Sequence, residues 1–431
     1  MSTATTADPA GGQPVDPSGD LADDDVRAIQ RRTLIVLRSA QIPAQAAVSG
    51  VIAVIALLVN QLLDSDRLAG TGSAAFTVGA ALVAVPLSAY MRRRGRRPGL
   101  ARAFAIGSCG AMIAAVGGQS GRYGIFIVGM LLFGSGQAAA LQGRFVAADL
   151  APAEGRSKAI GSVVWVGTLG AAFGPLLTPW ERRLASTLGL DPLVGPFLFA
   201  ALCFAIAAGV ILVFLRPDPL QVAGLLDPSA ARSRPIRQVR MAAGEVAGNP
   251  LAQLGLAAMV VSQTAMVAVM TMTPPYMKDH HHADLSAYVI ALHIVGMYGF
   301  SPFVGRAVER LGRPTSIMIG SVVLGAGTTI SVVGGYSSIG VFVGLMLLGV
   351  GWSFGLVAGS TLLTESVPEH RRLEVQGAGD LTMSMFGGAA AFSSGFVKQS
   401  YGFATLAYSA TLLAAGLLVA AMALRRQRLV V

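Results

Sequence analysis

Twelve separate stretches of the chain are each long and apolar enough to cross a lipid bilayer. A membrane-spanning helix needs about 20 mostly apolar residues, and its backbone must satisfy its own hydrogen bonds because lipid offers none. The stretches lie near residues 36–62, 69–91, 99–118, 123–147, 159–180, 194–215, 251–277, 285–305, 315–335, 338–364, 374–397 and 403–424. The pattern therefore predicts an all-α membrane protein with twelve transmembrane helices.

Composition narrows the classes of protein further. Of the 431 residues, 53% are hydrophobic and only 13% are charged, whereas a soluble domain has about 25% charged residues. The formal charge of +10 does not indicate a nucleic-acid partner, because the arginines form short clusters between apolar stretches. Cys109 and Cys203 lie inside apolar stretches, which excludes a disulfide framework and a thiolate zinc site. Without a phosphate-binding G-x-x-x-x-G-K-[ST] loop, we expect no ATP-driven pump, no enzyme and no cofactor.

The distribution of arginine predicts the orientation of the chain. Arginine clusters follow every second apolar stretch, and few basic residues occupy the other connections. Since short cytoplasmic loops carry the excess of Lys and Arg, we expect both termini in the cytoplasm and a multi-pass monomer in the cytoplasmic membrane. The predicted units are a disordered cytoplasmic tail (1–33), a six-helix bundle (34–216), a cytoplasmic linker (217–249), a second six-helix bundle (250–424) and a short tail (425–431).

The two halves share a polar pattern after the fourth and tenth stretches. An acid, a proline, an arginine and a glycine recur at a constant offset of 216 residues. The matched pairs are Asp149 and Glu365, Pro152 and Pro368, Arg156 and Arg372, and Gly161 and Gly377, together with Arg97-Pro98 and Arg313-Pro314. Several matches in one register indicate that the two bundles are duplicated halves.

The connection after the second stretch resembles the loop motif of the major facilitator superfamily, G-x-x-x-D-R-x-G-R-R. Ser88 and Arg92 depart from that motif, and the matching residues are Arg93, Gly95, Arg96 and Arg97. The second half matches it at Gly305, Glu309, Arg310, Gly312 and Arg313. The resemblance runs from about residue 34 to the end of the chain, and it implies a secondary transporter that works by alternating access.

The charged residues of these connections are candidates for a cytoplasmic gate, in which ion pairs and helix-end contacts hold the bundles together. The gate residues are Arg93, Arg96, Arg97, Asp149, Arg156, Glu309, Arg310, Arg313, Glu365 and Arg372. Because Arg92 replaces the acid of the motif, we expect the first-half contact to be incomplete. The alternative is that these charges only set the membrane topology and are solvated.

The seventh and eighth stretches carry candidate metal ligands. The spacings Met266-x-x-x-Met270 and His293-x-x-x-Met297 place each pair on one helix face. Counted from the outer helix ends, both pairs lie at matching depths. Thioethers with an imidazole suit Cu(I). Methionine is also ordinary packing material, whereas a histidine in the middle of a membrane is usually functional.

These two motifs resemble those of the CcoA-type copper importers, a branch of the same superfamily. The resemblance implies that copper is the transported substrate and that Met266, Met270, His293 and Met297 bind it. Members of that branch also use several cysteines, and this chain has two. Relatives without the full motif carry organic solutes such as riboflavin.

Other residues bear on the alternative of an organic-solute carrier, either a vitamin importer or a proton-coupled drug exporter. Met130 stands where such exporters have an arginine, whereas Gly170, Gly174 and Pro175 half match their Gly-Pro signature, which close packing also explains. The residues that would suit a polar cavity, or would hydrogen-bond between helices, are Gln41, Gln45, Gln137 and Gln142.

Three further polar features remain, and two of them have more than one interpretation. Asp380 would serve proton coupling or the gate, and we expect Arg144 to pair with Asp149. The histidines at 280–282 would collect metal or form a solvated loop. A sensor or scaffold on the same fold is the remaining alternative.

Overall fold

A computed structural model describes residues 23–64, 68, 70–227, 235–279, 285–333 and 338–429, and its described residues form helices and connecting turns. The six helices of the first half are α1 (Asp23–Leu63), α2 (Thr71–Arg94), α3 (Arg96–Gln119), α4 (Tyr123–Val146), α5 (Arg156–Thr187) and α6 (Gly195–Phe214). The connection between the halves contains two shorter helices, Pro219–Val222 and Pro235–Ala247. The predicted histidine loop at 280–282 lies outside the described residues.

The second half repeats this arrangement with two irregular helices. It begins with α7 (Pro250–Asp279), followed by α8, which joins Ser286–Ile294, a π-helical turn over Val295–Gly299, and Ser301–Leu311. Next come α9 (Arg313–Val333) and α10 (Ser338–Glu365). The last helical segment, Arg372–Leu429, is interrupted at Gly402, which adopts φ 83° and ψ 165°. We number the parts before and after Gly402 as α11 (372–401) and α12 (403–429).

Eleven helices among the described residues are long and apolar enough to cross a membrane. The last of them contains both of the final predicted spans. Its 58 residues would measure about 87 Å as a straight helix, nearly three times the hydrocarbon core of a bilayer. Gly402 divides this length, because a left-handed backbone conformation ends an α-helix.

Helix α1 begins ten residues before the predicted end of the N-terminal tail. Asp24 and Asp25 lie in its first turn, where carboxylates favour the helix dipole. Gln30 and Thr33 are buried, and the side-chain amide of Gln30 donates a 2.7 Å hydrogen bond to the carbonyl of Ala147. Contact with the end of α4 therefore orders residues that composition alone assigns to a tail.

Each half has an apolar core, and the second core also includes Ala148, Ile160 and Val164 from the first half. Tilted and edge-on phenylalanine pairs, including Phe133 with Phe204 at 5.0 Å, lie at the centre of the first core. The second core includes Met266, Met297 and Trp352. Helix α2 packs against α11 and α5 against α8, so these two crossings join the halves. Gly170 of α5 has no room for a Cβ beside Ile42 of α1, which supports close packing as the reason for this glycine.

Candidate functional site

The turn between α2 and α3 is built around Gly95 and Asp218. Gly95 has φ 97°, and a Cβ on it would overlap the Asp218 carboxylate. That carboxylate accepts hydrogen bonds from the backbone N–H groups of Arg96 (3.1 Å) and Arg97 (2.8 Å), so it caps the start of α3. Gly312, with φ 83°, makes the corresponding turn between α8 and α9.

The first residue after each of these glycines makes the same two-pronged ion pair. Arg96 binds Asp149 at 2.8 and 3.0 Å, and Arg313 binds Glu365 at 3.0 and 3.1 Å. Arg96 and Arg313 are therefore equivalent, and the predicted match of Arg97 with Arg313 is wrong by one residue. Arg97 instead donates to the carbonyl of Leu212, within the first half. The offset of 216 holds after α4, where the turns following Pro152 and Pro368 have the same form.

The α5–α8 contact joins the halves at the end of the bundle that carries the arginine-rich connections, which we call the arginine-rich face. Glu309 of α8 accepts a 2.7 Å hydrogen bond from the backbone N–H of Ser157, in the first turn of α5. A Cβ on Gly161 would lie 2.6 Å from the carbonyl oxygen of Ser301. Arg313 adds a 2.7 Å hydrogen bond to the carbonyl of Ala153. The Glu309 carboxylate therefore lies against the N-terminus of α5, at a point where the backbones of α5 and α8 approach closely.

The α2–α11 contact is the second connection between the halves at this face. Arg92 of α2 binds Glu374 of α11 at 2.6 Å, and the Glu374 side chain is only 2% exposed. Arg371 approaches the other Glu374 oxygen at 3.3 Å. Ser88 packs against Gly377. The expectation of an incomplete first-half contact is therefore wrong, since the acid that α2 lacks is supplied by α11.

A buried polar network, which we call the central network, links the two contacts between the halves. Arg144 of α4 pairs with Asp380 of α11 and donates a 3.0 Å hydrogen bond to the Ser360 hydroxyl of α10. Gln142 donates to Asp380 at 3.0 Å and accepts a longer, 3.4 Å contact from Arg96. The predicted pairing of Arg144 with Asp149 is wrong, because Arg96 occupies Asp149 and Arg144 turns toward the second half.

The other predicted gate residues differ in what they contact. Arg156 of the first half approaches Glu365 of the second half at 3.8 Å. Arg372 binds Glu369 at 2.7 Å within the second half, and Arg310 is exposed. Arg93 has a buried Nε with no hydrogen-bond partner. The sequence analysis did not predict a role for Glu374. Its position in the second half is equivalent to that of Lys158 in the first half, and this replacement of a base by an acid was a usable signal.

His293 has a fixed tautomer and an unused ring nitrogen. It has no exposed surface, and its Nδ1 lies 2.7 Å from the carbonyl oxygen of Leu345 on α10. A carbonyl only accepts, so Nδ1 carries the hydrogen and Nε2 holds a free lone pair. Nε2 is buried and has no hydrogen-bond partner. Ligating histidines in metalloproteins commonly have this backbone hydrogen bond on the opposite nitrogen.

The three predicted thioethers occupy the core of the second half. Met266 and Met297 are buried in it, and Met270 packs against it half-buried. Met297 lies in the π-helical turn, so the regular four-residue spacing from His293 is altered. The described residues contain no group of three or more His, Cys, Asp or Glu side chains suited to a metal ion. A metal site here would therefore depend on thioethers.

The glutamines of the first half differ in their surroundings. Gln41 and Gln45 are buried on α1, and Gln45 packs against Gly167 of α5. The side-chain oxygen of Gln137 is buried without a partner, and Gln142 belongs to the central network.

A polar and aromatic cluster in the second half was not predicted. The Trp352 indole of α10 donates a 2.7 Å hydrogen bond to Gln263 of α7, and Tyr298 of α8 meets the Trp352 ring edge-on at 5.6 Å.

Comparisons with known proteins agree with this architecture. The chain is 36% identical over 375 residues to an MFS-type transporter, YdeG, of Bacillus subtilis, with 86% of each chain covered. It is 30% identical over 380 residues to the riboflavin transporter RfnT of Brucella anthropi, covering 87% of this chain and 91% of RfnT. The crystal structure of the human organic anion transporter MFSD10 superimposes with a TM-score of 0.75 at 16% identity, covering 91% and 99% of the two chains.

The sequence also matches the profile of the Major Facilitator Superfamily over residues 39–392 and 256–430. The two bundles, the duplicated turns and the charged contacts between the halves are thus those of a membrane transporter, and the chain belongs to the Major Facilitator Superfamily.

Proposed function

We propose that the protein is an alternating-access secondary transporter that imports copper through His293 and the thioethers of Met266, Met270 and Met297. In this proposal the chain crosses the membrane twelve times with both termini in the cytoplasm. Gly402 supports twelve crossings, because it divides the last helix into two lengths that each suit one span. The arginine-rich face is then the cytoplasmic side.

The α2–α11 contact, the α5–α8 contact and the central network close the cytoplasmic side in this conformation. Arg144 and Asp380 belong to different halves and are both buried, so separating the halves breaks their pair. Breaking a buried ion pair without compensation costs about 3–5 kcal/mol, and water entering the opened cavity offsets part of that cost. This favours Asp380 as a partner in the gate.

The observation that carries the copper proposal is the free Nε2 of His293. A neutral imidazole with its lone pair unused, buried in a core that also holds Met266 and Met297, offers the soft ligands that Cu(I) prefers. The π-helical turn that follows His293 supports the same interpretation, since such turns are frequent at functional sites.

The test is uptake of radioactive copper, under reducing conditions, by a bacterium that lacks its own copper importer. His293→Asn is the informative variant, because the asparagine amide can keep the bond to the Leu345 carbonyl but lacks Nε2. We expect uptake by wild type, and loss of uptake in His293→Asn, Met266→Ala, Met270→Ala and Met297→Ala. Met259→Ala is the matched control, since Met259 is a buried α7 methionine outside the motif. A well-expressed wild type without uptake would refute the copper proposal.

The second candidate function is uptake of a riboflavin-like organic solute. Two observations favour it, the 30% identity to RfnT and the cluster of Gln263, Tyr298 and Trp352, whose amide and rings suit a planar heteroaromatic compound. Growth of a riboflavin auxotroph at low riboflavin tests it. Rescue by wild type that is lost in Trp352→Leu, together with no copper uptake, would replace copper by riboflavin as the substrate.

A further inference from the structure

Glu181 of α5 is a buried carboxyl group that the gate does not use. The residue is 2% exposed, and neither side-chain oxygen has a hydrogen-bond partner. Asp380, the other buried acid well inside the helices, has Arg144 and Gln142 as partners. The Asp380 carboxylate is therefore paired with a cation and an amide, whereas the Glu181 carboxyl group has no hydrogen-bond partner.

Among the described residues, no Lys, Arg or His side chain hydrogen-bonds to the Glu181 carboxyl group. A Cβ on Gly195, at the start of α6, would overlap the backbone carbonyl of Glu181. Side chains on a helix tilt toward its N-terminus, so the Glu181 side chain leans back along α5 from this crossing with α6.

The other ionisable groups near this end of α5 are either exposed or bonded to residues other than Glu181. Arg182 and Arg183 of α5 are exposed, Asp191 binds Gln61, and His293 of α8 binds Leu345. None of them bonds to Glu181. A cavity of about 500 Å³ lies beside this part of α5, and Thr178, Arg182 and Arg183 are among the residues that line it.

An ionised carboxylate without donors in apolar surroundings is strongly disfavoured, and it is relieved by taking up a proton. Ionisable residues inside a membrane commonly serve proton relays. We propose that Glu181 holds a proton in this conformation and is the proton-binding site of the transport cycle. On release, the carboxyl O–H bond breaks and the proton passes to water. This rests on the proposed secondary transport, but not on the identity of the substrate.

Helix α5 physically connects this site to the gate. Ser157, which bonds Glu309 of α8, begins the same helix that carries Glu181 near its other end. Since α5 also packs against α1 and α6, the proposal requires that opening the α5–α8 contact change how α5 packs against these two helices. That change gives Glu181 access to water and releases its proton.

Infrared spectroscopy of the purified protein at neutral pH tests the site without any substrate. We expect the C=O stretching band of a protonated carboxylic acid. The band should disappear in Glu181→Gln and persist in the matched variant Asp380→Asn. Isotope labelling of glutamate in the wild type should shift the band, whereas labelling of aspartate should not, which separates Glu181 from Asp380 even if Glu181→Gln misfolds. Absence of the band, or a band that glutamate labelling leaves in place, would overturn the proposal.

Transport in proteoliposomes then tests the coupling. With whichever substrate the wild type carries, a pH gradient should alter the uptake rate, and Glu181→Gln should remove that dependence while still binding substrate. A pH dependence that survives in Glu181→Gln would overturn the coupling role. If neither copper nor riboflavin is carried, the infrared result still decides whether Glu181 holds a proton, so the two proposals fail separately.

Discussion

The two contacts that join the halves are equivalent in the repeat but opposite in charge. In the α5–α8 contact the acid lies on α8, as Glu309, and meets the N-terminus of α5. In the α2–α11 contact the equivalent residue on α2 is Arg92, and the acid lies on α11, as Glu374. The position equivalent to Glu374 on α5 is Lys158, so both members of the pair are exchanged in sign.

The difference indicates that the acid at this crossing can lie on either of the two helices. The α5–α8 contact depends on a helix dipole and on backbone atoms in close approach, through Gly161 and Ser301. The α2–α11 contact depends on a short ion pair with a nearly inaccessible glutamate. We therefore expect charge substitutions to affect the α2–α11 contact more, and steric substitutions to affect the α5–α8 contact more.

The largest effect is expected from Arg92→Glu. It places two carboxylates together in a buried site and shifts the equilibrium toward separated halves by about 3 kcal/mol. Adding Glu374→Lys should restore most of the closed population, because the α2–α11 contact then has the charges of the α5–α8 contact. Spin labels at Glu154→Cys and His370→Cys, both exposed at the arginine-rich face, measure the separation in a Cys109→Ser background. Equal separations in the single and double variants would contradict the exchange of sign.

Several of these features were predictable from the sequence because they are local or repeated. The apolar stretches gave the helices, and the recurring acid, proline and arginine indicated the duplicated turns. Gly95 and Gly312 mark the positions where the two copies align, because both turns need a positive φ. The match of Arg97 with Arg313 placed the two copies one residue out of register.

Other features depend on which helix faces meet. Arg144 and Asp380 are 236 residues apart, and periodicity gives no partner at such a separation. The same holds for Arg92 and Glu374, and for the bond from His293 to Leu345. The depth of a residue in the membrane follows from counting, but its direction around the helix axis relative to a distant helix does not.

The second largest difference is expected between Gly161→Ala and Gly377→Ala. A methyl group at Gly161 meets the backbone of Ser301, which cannot move without separating α5 from α8, at a cost of about 1–3 kcal/mol. At Gly377 the methyl group meets chiefly the Ser88 hydroxyl, so Ser88→Gly should relieve it. The same spin-label distances report both. If Ser88→Gly rescued Gly161→Ala equally well, the two crossings would not be independent.

A smaller effect is expected at Glu309. Glu309→Ala removes the carboxylate that accepts from the Ser157 N–H, which should cost about 1 kcal/mol. Glu309→Gln keeps an acceptor and loses only the charge at the helix N-terminus, about 0.3–1 kcal/mol. The spin-label distance distribution should therefore broaden in the order wild type, Gln, Ala. Equal effects for Gln and Ala would show that Glu309 acts only through its charge, for example on Arg313, which it approaches at 3.5 Å.

The smallest effect is expected for Arg156→Gln. Arg156 and Glu365 approach at 3.8 Å with side chains about one-fifth exposed, and such partly solvated pairs contribute roughly 0–1 kcal/mol. Glu365 keeps its shorter pair with Arg313 when Arg156 is removed. High salt should screen this pair and leave the buried Arg92–Glu374 pair nearly unchanged. The spin-label distance in Arg156→Gln should therefore match that of wild type at high salt. A separation comparable to that of Arg92→Glu would mean that exposed charge, rather than the buried pair, holds the halves together.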